Sequence, residues 1–199
     1  MILFMSFFAL LFGASRAEME EFLVTDKDQA LYVLLYPAIE NALSKPSVLS
    51  IQLAYENELG RGSSLVLQPF LATASIQDEK VGGVSPPKSS FFAIGMGGAM
   101  REYFDGVKSS GVYGSPSMAF MFASVKRPAS SDFKSQSTEM IGLSLGAQLG
   151  ARGKWDWFTS YVEVGLGYQW IVVNGNGEVD GVLESGFNSG GALGVGIPF

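Results

Sequence analysis

Four charged residues lie close to stretches in which apolar and small residues alternate, and they offer the clearest chemistry in this sequence. They are two acids and two bases, Glu56, Arg101, Arg152 and Glu163. Because a buried charge is costly unless it is paired, carboxylates and guanidinium groups that meet inside a protein predict a mutually neutralising cluster. Such a cluster has two possible roles, a structural plug and a gate that opens when the pairs exchange.

The amino-acid composition excludes most kinds of catalytic and metal-binding site. The chain has no His and no Cys, so it lacks the commonest general base, the commonest metal ligand and every thiolate site. The segment 174–181, NGNGEVDG, spaces oxygen ligands as a calcium loop does, but it lacks the acidic first position and the terminal Glu of that pattern. We therefore predict a polar loop there, and a protein that is not an enzyme and has no cofactor or metal. A site built from carboxylates alone is the alternative that stays open.

The charge balance excludes another class of partner. The formal net charge is −6, and no run of Lys and Arg is present. A basic footprint is what nucleic-acid binding requires, so we predict no nucleic-acid partner.

The N-terminal region has the features of a secretion signal. Residues 1–17 combine an apolar stretch with a small-x-small site at Ser15-Arg16-Ala17, which is typical of a cleaved signal peptide. We predict a signal peptide at 1–17, a short periplasmic segment at 18–28 and one domain at 29–199.

The rest of the chain alternates with a period of two, which is the pattern of a strand with two different faces. LSIQLAY (49–55) and YVEVGLGYQW (161–170) are clear examples. The segment from residue 30 onward, ALYVLLYPAIENAL, is the least distinct and also permits a short helix. We predict eight strands, at about 29–37, 47–57, 63–77, 89–104, 111–125, 138–152, 158–173 and 188–199.

The connections and the two strand faces indicate what kind of barrel these strands form. Short connections alternate with longer or more polar ones, as they do in barrels of the outer membrane. One face is apolar and the other is rich in Gly, Ser and Gln, which suits a narrow lumen better than a water-facing surface. Aromatic residues near strand ends suit the two membrane interfaces: Tyr55, Phe104, Trp155, Trp157, Trp170 and Phe199. We predict an all-β fold, an eight-stranded antiparallel up-and-down transmembrane β-barrel.

The final strand must then be structural to its last residue, Phe199, because a barrel in lipid has to pair its last strand with its first. By alternation, the four charged residues point into the lumen near the periplasmic ends of their strands. Pro69 falls inside the third strand, where it cannot donate a ladder hydrogen bond. Either a bulge lies there or the strand is bounded differently.

Several stretches together resemble a known family. LSIQLAYENELGRGSSL, GGAMREYFDGVKSSGVYGSP, GLSLGAQLGARGKW and YVEVGLGYQW resemble the hairpins of small eight-stranded outer-membrane barrels of the OmpA/OmpX-like superfamily, in a group of unknown function. The matching positions of the central hairpin are Arg101, Tyr103, Phe104, Gly111, Tyr113 and Pro116. Glu102 departs from the family, which usually has an outward aromatic residue there. The resemblance, over residues 30–199, also implies that Phe199 is part of the C-terminal signal read by the outer-membrane assembly machinery.

The expected location is the cell outer membrane, and the expected role is structural or surface-interactional, with a lumen plugged by paired charges. The expected partners are outer-membrane lipids, the assembly machinery through the C-terminal strand, and an extracellular partner of the loops. Two alternatives remain, a narrow pore for small solutes and a soluble lipocalin-like binder of an apolar ligand.

Overall fold

A computed structural model describes residues 29–35, 48–60, 62–76, 87–104, 110–130, 133–175 and 185–199. The predicted signal peptide, the predicted periplasmic segment 18–28 and most of the loop at 174–181 lie outside these residues. In the described ranges, no helix has the length and apolar character needed to cross a membrane.

Eight strands account for most of the described residues. They are β1 (Gln29–Leu34), β2 (Val48–Gly60), β3 (Ser63–Ile76), β4 (Ser89–Tyr103), β5 (Gly111–Arg127), β6 (Gln136–Lys154), β7 (Thr159–Gly175) and β8 (Gly186–Pro198). The segment that also permitted a short helix begins as strand β1.

Each strand pairs antiparallel with the next, and β8 pairs with β1 to close the ring. The fold is therefore an eight-stranded antiparallel up-and-down barrel, which confirms the predicted architecture. The closing seam is short, because the pairs between β1 and β8 run only from Ala30 with Pro198 to Leu34 with Gly194.

The register shows that the strands are staggered around the barrel. Ala30 pairs with Glu56 of β2 and with Pro198 of β8. The ladder that starts at Glu56 passes through each strand in turn and reaches Asn188 of β8, ten residues from Pro198. A stagger of this kind requires tilted strands, typically by about 35–45°, so residues at one height are not direct ladder partners.

The predicted bulge at Pro69 is wrong, and the predicted strand boundary stands. Pro69 pairs in unbroken register with Met96 of β4, and its side chain faces outward. The register with β2 is also the same on both sides of Pro69, since Phe70 pairs with Gln52 and Leu67 with Tyr55. In the described β2–β3 ladder the register instead shifts next to the turn, between Glu58 and Gly60.

The outward face is apolar and exposed. Its middle carries large aliphatic side chains that no other part of the described chain covers: Val33, Ile51, Leu53, Ile94, Leu143, Val164, Leu166 and Val195. Most exposed aromatic side chains lie toward the two ends, and two, Phe120 and Phe122, lie within β5. Those toward the ends are Phe104, Trp155, Trp157 and Phe199 at one, and Phe92, Trp170 and Phe187 at the other. Among the described strands, charged side chains at outward positions are confined to the strand ends: Glu102, Lys126 and Glu139.

The lumen has three layers. Charged and tyrosine side chains fill the end at which β1 begins and β8 ends. A cavity of about 320 Å³ lined by amides, hydroxyls and glycines lies in the middle. Toward the other end, apolar side chains form a cluster around Phe91, Ala93, Ala123 and Met140.

Candidate functional site

Glu56 of β2 lies at the centre of the charged layer and is completely buried. Its Oε2 accepts hydrogen bonds from Arg101 Nη1 at 2.7 Å and from the Tyr32 hydroxyl at 3.0 Å. Its Oε1 accepts from the Tyr103 hydroxyl at 3.1 Å and from the Ser64 hydroxyl. Both oxygens of this carboxylate are therefore occupied by protein donors.

Arg101 of β4 joins the two predicted acids. While Nη1 contacts Glu56, Nη2 donates to Glu163 Oε2 at 3.0 Å. The guanidinium carbon lies 4.1 Å from the ring centroid of Tyr161 and 4.6 Å from that of Tyr113. Stacking of a guanidinium against aromatic faces is favourable and stronger when water is excluded, so Arg101 is held by two carboxylates and two rings.

Arg152 of β6 is the second cation of this layer. Its Nη1 lies 3.3 Å from Glu56 Oε1 and 3.4 Å from Glu58 Oε1, and its Nε donates to Thr159 Oγ1 at 3.2 Å. Glu58 also lies 3.6 Å from Lys154 Nζ. Three acids thus meet three bases, and the formal charges of the six side chains cancel.

Four tyrosines surround these charges. The hydroxyls of Tyr32 and Tyr103 donate to Glu56, as described above, and that of Tyr113 donates to Glu163 Oε2 at 2.9 Å. Tyr161 packs edge-on against Tyr32, with centroids 4.9 Å apart. The layer is therefore a polar network in which hydroxyl and guanidinium donors reach the buried carboxylates, as burial of charge requires. Among the described residues, Arg101 Nε, Arg152 Nη2 and the Tyr161 hydroxyl have no hydrogen-bond partner.

Glycines make room for three of these rings. Tyr113 faces Gly150 across the β5–β6 ladder, Tyr161 faces Gly194 across β7–β8, and Tyr32 faces Gly196 across β1–β8. A Cβ at any of these glycines would clash with the facing ring. The repeated Tyr–Gly pairing lets each ring lie flat against the neighbouring strand, the arrangement by which an aromatic side chain covers a strand glycine.

The structure brings together all four residues that the sequence analysis named for this site, Glu56, Arg101, Arg152 and Glu163. Alternation did not identify Glu58 and Lys154, which lie beside the turns at the same end, nor the four tyrosines. A sequence signal for the tyrosines does exist: each inward-facing Tyr of β1, β5 and β7 has a Gly as its partner on one neighbouring strand of the ring.

Phe199, the predicted assembly signal, lies at the seam of the barrel. Its backbone N–H donates to Gln29 O at 2.9 Å, and its carbonyl accepts from Gln29 N at 3.2 Å. The Phe199 ring is exposed and contributes to the aromatic set at this end.

The arrangement pairs each buried charge with an opposite one. Among the described residues, no group of His, Cys, Asp or Glu has the arrangement of a metal site. Glu56 and Arg101, the two most buried charged residues, contact protein groups and not the cavity. The cavity begins above them, with Glu163 at its floor.

No model of a known protein family matches the chain, and a search of curated proteins finds no match. Among solved structures, the barrel is similar to that of Ail, the attachment invasion locus protein of Yersinia pestis, with 12% sequence identity and a TM-score of 0.42, over 88% of this chain and 100% of that one.

Proposed function

We propose that this chain is an integral outer-membrane β-barrel with a structural or surface-interaction role, and that paired charges close its lumen. The observation that carries the proposal is the outward face, which is apolar and exposed in the middle of every strand. Aromatic side chains flank this band, and the described outward charges lie at strand ends. In water such a surface is an aggregation hazard, whereas in a bilayer it matches the lipid-facing band of a membrane barrel.

The polarity of the two faces argues against a lipocalin-like binder of an apolar ligand. Such a barrel has its apolar face inside and its polar face in water. Here the middle and one end of the lumen are polar or charged, and the described outer face is the apolar one.

The lengths of the connections support an orientation. Those between β2 and β3 and between β6 and β7 are short, and they share one end of the barrel with the start of β1 and the end of β8. Short turns face the periplasm in such barrels and longer loops face outside. The charged layer then lies on the periplasmic side, and the longer connections are free to meet an extracellular partner.

The charged layer favours a structural role over transport. Six charged side chains and four tyrosines occupy the periplasmic end of the lumen, and eight strands enclose a space that side chains can fill. The narrow pore remains the second candidate because of the cavity in the middle of the lumen. No enzymatic role is proposed.

Two partners follow from this function. Outer-membrane lipids would cover the apolar band, and the assembly machinery would meet β8, whose last residues carry the exposed ring of Phe199. The lipids are proposed from the apolar outer face, and the assembly machinery is proposed from the seam between β1 and β8.

The test begins with the outer-membrane fraction of cells that express the full chain. A folded membrane barrel resists SDS when cold, so we expect its gel mobility to change on boiling. Recovery in the soluble periplasm, with no mobility change, would overturn the proposal.

Orientation has a separate test, because the native chain has no Cys and single cysteines can be introduced. Lys134→Cys lies in the connection between β5 and β6, and Asp156→Cys lies in the turn between β6 and β7; both positions are exposed. On intact cells we expect a membrane-impermeant maleimide to label the first and not the second. Lysed cells, in which both variants should react, provide the control.

A further inference from the structure

Most side chains that line the cavity in the middle of the lumen take no part in the charged layer that closes the lumen. Its volume of about 320 Å³ lies in the lower range of small-molecule sites. If a roughly 150 Å³ cavity admits benzene, this one has room for a molecule of about ten non-hydrogen atoms.

The polar groups of the wall come from several strands. Gln52, Gln68 and Gln148 contribute amides, Ser117 and Ser144 contribute hydroxyls, and Glu163 contributes a carboxylate at the floor. Among the described residues that line this cavity, none is a Lys or an Arg. The wall therefore combines polar groups with apolar side chains such as Leu34 and Met118, and its one charged group is negative.

One buried acceptor atom of this wall, Gln148 Oε1, lacks a donor in the described part of the chain. Glu163 accepts from Arg101 and Tyr113 through Oε2, and its side chain also lines the cavity. The two residues are close, because Gly150 pairs with Glu163 while Gln148 lies two residues along β6 on the same inward face.

Arg101 does not line the cavity, whereas Glu163 does. Its guanidinium is shared between Glu163 and Glu56, and it lies on the side of Glu163 away from the cavity. A buried acceptor without a donor costs free energy, and a carboxylate oxygen gains most from a charged N–H donor. A ligand that supplies ammonium donors would satisfy Gln148 Oε1 and could also contact the Glu163 carboxylate at the floor.

The mouth of the cavity lies beside β8. Asn188 and Gly190 of this strand are inward-facing, yet both are exposed. A Cβ placed on Gly190 would have no other atom within 4 Å. This part of the cavity wall is therefore open and carries no bulky side chain. A flexible, narrow molecule has a way in here.

We propose that the lumen cavity binds a small organic cation with primary or secondary ammonium groups, of the polyamine class, with Glu163 and Gln148 as its acceptors. Polar alkylammonium chains fit the size of the cavity, its amide and hydroxyl walls and its acidic floor. Neutral polyols could use the walls but not the charge of Glu163.

The test is calorimetric titration of the folded full chain in a nonionic detergent with spermidine, and with xylitol as a neutral ligand of similar size. Glu163→Gln keeps the volume and removes the charge, and we expect it to weaken spermidine binding by about tenfold or more. Glu102→Gln removes one carboxylate from the outer face and serves as the matched control, with unchanged affinity. Gln148→Leu removes the second acceptor without touching Arg101, so it tests the site even if Glu163→Gln does not fold.

The outcomes separate this site from general attraction to an acidic protein. Binding of spermidine that weakens in Glu163→Gln or Gln148→Leu and not in Glu102→Gln supports the site. Three results would overturn it: no measurable binding of spermidine, equal binding of xylitol, or equal loss in Glu102→Gln. Because the titration uses folded barrel in detergent, its failure leaves the outer-membrane proposal standing, and fractionation tests that proposal alone.

Discussion

The ring of Tyr113 occupies the space that a side chain on Gly150 would need. A Cβ at Gly150 would lie 2.5 Å from the Tyr113 hydroxyl oxygen and 2.7 Å from Val162 O. The same tyrosine donates to Glu163, so the absence of one methyl group on β6 determines where a donor of the charged layer lies.

Gly150→Ala is therefore expected to destabilise the barrel, although alanine is ordinarily the better residue in a strand. Overpacking of this kind costs about 1–3 kcal/mol, and we expect that loss in the free energy of unfolding in urea. Gly190→Ala, where a Cβ meets no atom within 4 Å, is the control and should leave the midpoint unchanged. Equal effects of the two variants would contradict the Tyr–Gly packing.

Arg101→Ala is expected to lower stability more than any single surface substitution. It leaves Glu56 and Glu163 short of a cation, and breaking a buried ion pair from one side costs about 3–5 kcal/mol. Lys126→Ala, which removes an exposed outward charge at the other end, should change stability by less than about 0.5 kcal/mol. A urea midpoint for Arg101→Ala equal to that of the wild type would contradict the charged network.

Substitutions at two adjacent positions on β6 test whether the outer face of the barrel contacts lipid or water. Leu145, the middle residue of this strand, faces outward, and Ser144 lines the cavity. Leu145→Lys should reduce stability in lipid vesicles by about 2–4 kcal/mol, whereas Ser144→Lys should cost less because its charge stays in the polar lumen. If Leu145→Lys were the better tolerated variant, the outer face would be a water-facing surface.

The wild-type barrel is expected to carry no stepwise current in a planar bilayer. Glu56 pairs with both Arg101 and Arg152 across the lumen, so an ion has to displace paired charges to pass. Bilayers with detergent alone supply the baseline. Discrete conductance steps from the purified wild-type chain would favour the narrow pore instead.

Phe199→Ala is expected to impair assembly in cells without impairing the fold. Its backbone still pairs with Gln29, so the purified variant should refold in detergent as the wild type does. In cells, we expect less folded protein in the outer membrane. Phe187→Ala removes another exposed ring from the outer face of β8 and should leave the cellular level unchanged; equal loss in both variants would argue against a terminal recognition signal.

Much of the architecture was predictable because alternation reports which face a residue occupies. β3 to β8 were predicted within two residues of their observed bounds, and the four charged residues, which were expected to point inward, are buried. The position of a residue along the barrel axis was harder to predict from the sequence. It depends on the total stagger of ten residues, to which every ladder contributes. For this reason, alternation alone did not predict that Glu58 and Lys154 belong to the charged layer.

Other features depend on local geometry that a strand pattern does not contain. Pro69 suggested a bulge because a proline lacks the N–H donor, yet the register stays unbroken and the proline faces outward. The Tyr–Gly pairs require knowledge of which residues face each other across a ladder. Once the register is known, Tyr32 with Gly196 and Tyr161 with Gly194 could be read from the sequence.

The short seam between β1 and β8 has a consequence for the order of folding. Ala30 meets Pro198, so the ring joins residues from opposite ends of the domain. Contacts between residues so far apart in sequence require the loss of loop-closure entropy before any favourable interaction forms, so they form slowly. Hairpins such as β5–β6 can form from neighbouring sequence, but the wall cannot be completed until the last strand has been synthesised. The chain must therefore remain open, with unpaired strand edges, throughout its synthesis, and closure is expected to be the last step of its folding.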